Sequence, residues 1–147
     1  MQVSIVPSYP APNFAELEGV LAALQGVCDE FQVDIVDGEF APKTSWPFIK
    51  GAKVDSLLNL RSYTRHFAFS VDCMVVKPEQ YLDLFLQVGF KRVIIHYGST
   101  EALADISTTL RAAGVLVGVA ATSDTFRVKN VIADFELFDF VQITGRI

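Results

Sequence analysis

The chain has 147 residues, enough for one domain with a sizeable core. It is 51% hydrophobic with a net charge of −5 and no cluster of Lys or Arg, which argues against nucleic acid as a partner. No apolar stretch approaches bilayer length, the opening MQVSIVPS lacks the basic and long apolar regions of a signal peptide, and Cys28 and Cys73 form no dense pattern. A membrane partner and a disulfide framework are therefore not expected, and the cytoplasm is the simplest assignment.

Val3–Ser8 reads as a strand closed by Pro7 and Pro10. Asn13 opens a helix in which Glu16, three residues on, gives a capping-box-like start, and Phe14, Leu17, Val20, Leu21 and Leu24 recur at helical spacing before Gly26. Phe31–Asp37 is the second strand, followed by a loop with Pro42, Trp46 and Pro47 and a helix over Asp55–Arg65. Phe67–Val75 is a third strand, continuous enough in apolar content to be buried on both faces. Pro78 suits the first turn of the next helix, which ends at Gly89. Arg92–Tyr97 follows as a strand, and Ser99 or Thr100 caps a helix ending at Gly114. Leu116–Thr122 is a fifth strand, Thr125–Glu136 a helix and Phe140–Thr144 a sixth strand.

Strands beginning near residues 3, 31, 67, 92, 116 and 140, with helices between them, predict a single α/β domain over residues 1–147 with a parallel sheet covered by helices. Spacing alone leaves two architectures open, a doubly wound sheet or a (β/α) barrel. There is no G-x-G-x-x-G after the first strand and no Walker loop, so the usual nucleotide readings lose their warrant.

In either architecture chemistry gathers at the carboxyl ends of the strands. Alternation puts Gln32, Asp34 and Val36 on one face and Val33, Ile35 and Asp37 on the other. The same parity selects Ser8, Ser70, Asp72, Met74, His96, Gly118, Ala120, Thr122, Gln142 and Thr144 on the remaining strands. A lone Ser, Thr or His at a strand end is ordinarily a turn or core residue, while a structural Asp tied to backbone or to a Lys is the lesser reading in the second strand. Asp34 with Asp72 is the sharper pair, because two carboxylates converging in one cavity need a metal, a shared proton or a cationic ligand.

With these residues in place, the chain resembles the ribulose-phosphate 3-epimerase family. VDIVDGEFAP is similar to that family's H-V-D-V-M-D-G-H-F-V-P-N, and Pro7-Ser8 with Phe14 to its P-S-I-L-S-A-D-F. SVDCMVVKPEQYLDLFLQVG is similar to D-V-H-L-M-I-x-x-P-x-x-Y-I-x-x-F-x-x-A-G, IIHYG to I-x-x-H-x-E, and AGVLVGVAATSDT to A-G-x-x-x-G-V-A-L-N-P-x-T. The resemblance implies a TIM barrel of which about six βα units are present. It also implies a pentulose 5-phosphate substrate and a divalent metal that assists proton exchange at C3. Asp34 matches the aspartate that is both metal ligand and acid/base, Ser8 and Met74 match residues lining the sugar site, and His96 matches the fourth-strand histidine.

The departures are as specific. Gln32 stands where the family has a metal-ligating histidine and Asp72 where it has the second, so Asp34 and Asp72 become the implied ligands and Mg²⁺ or Mn²⁺ is favoured over Zn²⁺. The TSDT loop lacks the family's asparagine and proline. The family continues into glycine-rich phosphate loops and two further strands, the seventh carrying its second catalytic aspartate, and a barrel of this type usually needs about 250 residues. The chain is then either part of a longer product or a partial barrel that covers two open edges as a homo-oligomer. A pentulose-5-phosphate 3-epimerase-like isomerase is the leading function. Other sugar-phosphate chemistry on the same barrel, or a non-catalytic binding protein, are the alternatives.

Overall fold

The computed structural model describes residues 3–122 and 135–144. Six strands form one sheet in the order β1 to β6, every neighbouring pair parallel: β1 (Ser8–Tyr9), β2 (Glu30–Val36), β3 (Ala68–Met74), β4 (Arg92–His96), β5 (Leu116–Thr122) and β6 (Phe140–Thr144). Among the described residues three α-helices connect them on one side: α1 (Phe14–Leu24), α2 (Leu82–Val88) and α3 (Leu103–Ala112). Strand pairing in sequence order with helices on the outer face is the half-wound form of a parallel barrel.

Strand parity decides which side is core. Phe31, Val33 and Ile35 of β2, Phe69, Val71 and Cys73 of β3, Val93 and Ile95 of β4, and Val117 and Val119 of β5 all join the buried cluster under the helices. Their alternate neighbours face the other way. The sheet curls around that second face: the Gln142 amide on β6 donates to Asp72 on β3 over 2.8 Å. Strands three apart on a flat sheet would lie about 14 Å from one another, at roughly 4.8 Å per spacing. The concave face is therefore a lumen.

Helix starts follow the local chemistry. Asn13 accepts the Glu16 N–H at 2.9 Å as the spacing predicts, and its side-chain amide, rather than the backbone N–H of a full capping box, donates to the Glu16 carboxylate at 3.1 Å. The helix predicted over Asp55–Arg65 is instead a 3-10 helix, Val54–Tyr63. Val54, Leu57, Leu60 and Tyr63 recur every three residues, which makes a single stripe only at three residues per turn, and all four pack on the core. Pro78 opens a 3-10 turn, Pro78–Tyr81, that runs into α2, and Gly89 ends α2 at φ 89°. The Thr100 hydroxyl accepts the Ala102 N–H at 3.0 Å just ahead of α3. The helix predicted over Thr125–Glu136 lies outside the described residues except for its last turn, Phe135–Leu137.

The first strand is shorter than its apolar run suggests. Only Ser8 and Tyr9 pair with β2, opposite Gln32 and Val33. In this register Ile5 and the residues before it would have to pair with the turn before Glu30, Pro7 offers only its carbonyl (to the Gln32 N–H at 2.8 Å), and Val3 and Ile5 are 81% and 84% exposed. No helix among the described residues is long and apolar enough to cross a membrane.

Gly118 on β5 faces the lumen directly beside Phe140, and a Cβ there would overlap the Phe140 ring. Gly118→Ala should therefore lower unfolding stability by about 1–3 kcal/mol, read by urea denaturation. Phe140→Leu in the same background should recover part of the loss.

Candidate active site

Four strands present polar side chains at one level of the lumen. Asp34 and Asp72 are register partners on β2 and β3. His96 at the end of β4 places Nε2 2.7 Å from Asp72 Oδ1, and Gln142 Nε2 donates to Asp72 Oδ2 at 2.8 Å. The pair is deeply placed, with Asp72 5% and His96 2% exposed. A buried carboxylate is costly alone, and two donors from separate strands satisfy both of its oxygens. The Phe40 ring packs edge-on against the His96 ring, centroids 5.3 Å apart, and covers it from the loop after β2.

Asp34 sits beside this group. Gln32, two residues earlier on the same face, donates its amide to Asp34 Oδ1 at 2.9 Å. Burial pushes the Asp34 carboxyl up to about 6, against the pull of the Gln32 amide; Asp72 pushes it further up, while the Ser8 hydroxyl and His96 pull it down. Asp34 also opens onto a cleft of about 560 Å³ lined by Pro10, Val36, Pro42, Lys43, Ser45 and Met74. The residues predicted from strand parity, Ser8, Gln32, Asp34, Asp72, Met74, His96 and Gln142, thus fall on one concave surface. Ser70 is buried lower in the lumen, on a second cavity of about 490 Å³ whose walls include Gln32, Gln142 and the Arg92–Glu30 ion pair. The free thiol of Cys73 lies on the opposite face, fully buried, and burial pushes its pKa up, which leaves it unreactive.

Two residues that hold the site were not singled out as site residues by the sequence. Asp37 Oδ1 accepts the N–H groups of Glu39 and Phe40 at 2.8 and 2.9 Å, and Oδ2 accepts Val76 N–H at 2.7 Å, so one carboxylate ties the β2 loop to the end of β3. Ser45 Oγ accepts from Val36 N–H at 3.0 Å and donates to the Asp34 carbonyl at 2.8 Å, fixing the backbone that carries Asp34. The Asp-Gly turn was the available signal: an Asp at the head of a turn caps the N–H groups after it.

Among the described residues no group of three or more His, Cys, Asp or Glu side chains is placed to hold a metal ion. Asp34 and Asp72 share the lumen, but His96 and Gln142 both point nitrogens at Asp72, and Gln32 turns its amide nitrogen toward Asp34. Those donors occupy the positions a cation would need. The described side chains do not fit the metal that the resemblance implies.

A parallel half-barrel with a desolvated carboxylate at the carboxyl end of its second strand defines a barrel protein of the kind that handles small ligands inside the strand ring. The profile of the ribulose-phosphate 3 epimerase family matches residues 4–143, and the chain belongs to that family. Ribulose-phosphate 3-epimerase of Schizosaccharomyces pombe is 33% identical over 147 residues, covering 97% of this chain and 61% of that protein. The Treponema pallidum protein of the same name is 28% identical and covers 95% of this chain and 60% of itself. The chain thus spans about three fifths of the length of these curated relatives. Among solved structures, a mutant tryptophan synthase α-subunit from Pyrococcus furiosus superposes with a TM-score of 0.73 at 17% identity, covering 97% of this chain and 65% of its own. The 3-keto-L-gulonate-6-phosphate decarboxylase of Vibrio cholerae does so with a TM-score of 0.61 at 10% identity, covering 97% and 78%. At those identities the likeness is one of fold, and it places the six strands in a TIM-barrel-like arrangement.

The raised Asp34 pKa has a stability consequence. A carboxyl at about 6 when folded and 3.8 when unfolded binds more protons in the folded state between those values, so stability falls as pH rises from about 4 to 6. Asp34→Asn should remove that fall. It should be more stable than the parent at pH 7 by about 3 kcal/mol, with most of the difference gone near pH 4, as read by chemical denaturation at both pH values.

Proposed function

We propose that the lumen is the acid/base site of a pentulose-5-phosphate 3-epimerase-like isomerase, with Asp34 as the group that exchanges the proton at C3. The carrying observation is the Asp34 carboxyl itself, held at about 6 in a cleft of sugar-phosphate size. A base with that pKa is mostly ionised at neutral pH yet still accepts a proton from carbon readily. The identity of the S. pombe and T. pallidum relatives supports the substrate class.

In the proposed step Asp34 removes the C3 proton, the C–H electron pair moves into C2–C3, and the C2 carbonyl oxygen takes the charge as an enediolate. A proton taken from water on the opposite face of C3 gives the epimer, and Asp34 releases the proton it removed to solvent. Gln32 and Ser8 orient the Asp34 carboxylate through the hydrogen bonds that also hold it ionised. Met74 and Pro10 line the apolar wall of the cleft beside it. His96 stands in the same lumen, its Nε2 held by Asp72. No step is routed through a metal ion.

Incubation with ribulose 5-phosphate in D₂O should place deuterium at C3, detected by NMR of the recovered sugar. Asp34→Asn should slow this at least about 10²-fold. Full exchange in that variant, or no exchange in the parent under any condition, contradicts the proposal.

A further inference from the structure

We infer that this lumen takes no divalent cation and that the hydrogen-bonded chain Gln142–Asp72–His96 fills its place, so that a sugar-phosphate binds beside Asp34 without metal; the second half of this inference rests on the epimerase reading above. Three observations carry it. Both oxygens of Asp72 already accept hydrogen bonds, from His96 on β4 at 2.7 Å and Gln142 on β6 at 2.8 Å. Asp34, the other carboxylate, accepts the Gln32 amide at 2.9 Å. No third His, Cys, Asp or Glu among the described residues completes a cage around the two.

The residue types agree with the geometry. A divalent cation needs lone pairs converging on one point, whereas Gln32 and Gln142 turn amide N–H groups onto the carboxylates and His96 spends Nε2 on Asp72. Asp72 and His96 are 5% and 2% exposed, so a cation could enter only by breaking buried hydrogen bonds on both sides of Asp72. The same chain of bonds performs one mechanical task of a shared ion. It ties β3, β4 and β6 together across the lumen and fixes where the His96 ring stands. Asp72 and Gln142 are then positioning residues that act through His96.

The test is Mn²⁺ binding to the purified chain, followed by loss of the free-ion paramagnetic resonance signal, with thermal melts in EDTA and in Mn²⁺. The parent should show no saturable binding up to millimolar Mn²⁺ and the same melting temperature in both buffers. Gln32→His/Asp72→His, which converts two of these positions to imidazole donors, should acquire saturable binding at least about tenfold tighter than any in the parent. Stoichiometric Mn²⁺ binding by the parent, or a melting temperature that climbs with Mn²⁺ concentration, overturns the inference. C3 deuterium exchange measured in EDTA separates the two proposals. Exchange that persists in EDTA supports both. Exchange that requires Mn²⁺ leaves the epimerase reading standing and overturns this one. With no exchange in either buffer the epimerase reading fails, and Mn²⁺ binding by the parent alone decides the metal question.

Discussion

Side chains two residues apart on a strand share a face, and neighbouring parallel strands in register carry that face across the sheet. In this chain one face is committed to the apolar core: Phe31, Val33, Ile35, Val71, Cys73, Val93, Ile95, Val117 and Val119 all pack under the helices. Every polar residue on the opposite parity must then meet the others on the concave side. Asp34 falls opposite Asp72 for this reason, and Gln142 falls opposite Ala120, one strand pair from His96. A one-residue slip of β2 would bury Asp34 among phenylalanines and expose Val33 and Ile35 to the lumen.

The concentration of polar groups on a curled face creates an electrostatic problem that the chain solves locally. Asp72 is buried, and two donors hold it from strands on either side of the lumen. Asp34 receives weaker support, from Gln32 and Ser8, and burial outweighs it. Two carboxylates in one lumen thereby acquire different characters, one a fixed partner of an imidazole and the other a group poised to exchange protons near neutral pH. Asp37, a third carboxylate three residues past Asp34, has a separate task. It caps the loop that carries Phe40 over His96 and anchors it to Val76 on the far side of β3.

Much of this was legible in the residues. Alternation marked the lumen-facing set without coordinates, since strands this apolar leave polar residues only on one parity, and the D-x-x-D-G-x-F-x-P run carried the family. The partners of each polar group were not legible. Nothing in SVDCM says that Asp72 will be held by His96 and Gln142, because that contact depends on how tightly the sheet curls and its partners lie 24 and 70 residues further along the chain. The same limit explains the implied metal: replacing histidine by Gln32 and by Asp72 reads as a harder ligand set until the donors are seen to be turned toward the carboxylates. The 3-10 helix at Val54–Tyr63 was visible only as a stripe at spacing three, which a helical reading absorbs. The first strand failed to extend to Val3 because its partner begins at Glu30 and Pro7 has no N–H to give.

The acid/base character of the lumen stands on the placement of one carboxyl group, Asp34, in a desolvated space shared with Asp72 and His96. Carbon-detected NMR titration of chain labelled at aspartate carboxyls, with Asp34 assigned by comparison with Asp34→Asn, measures it directly. The Asp34 resonance should titrate with a midpoint near 6. A midpoint at or below the ordinary value of 3.8 would mean that Asp34 is solvated and apart from the lumen group, and would contradict the account.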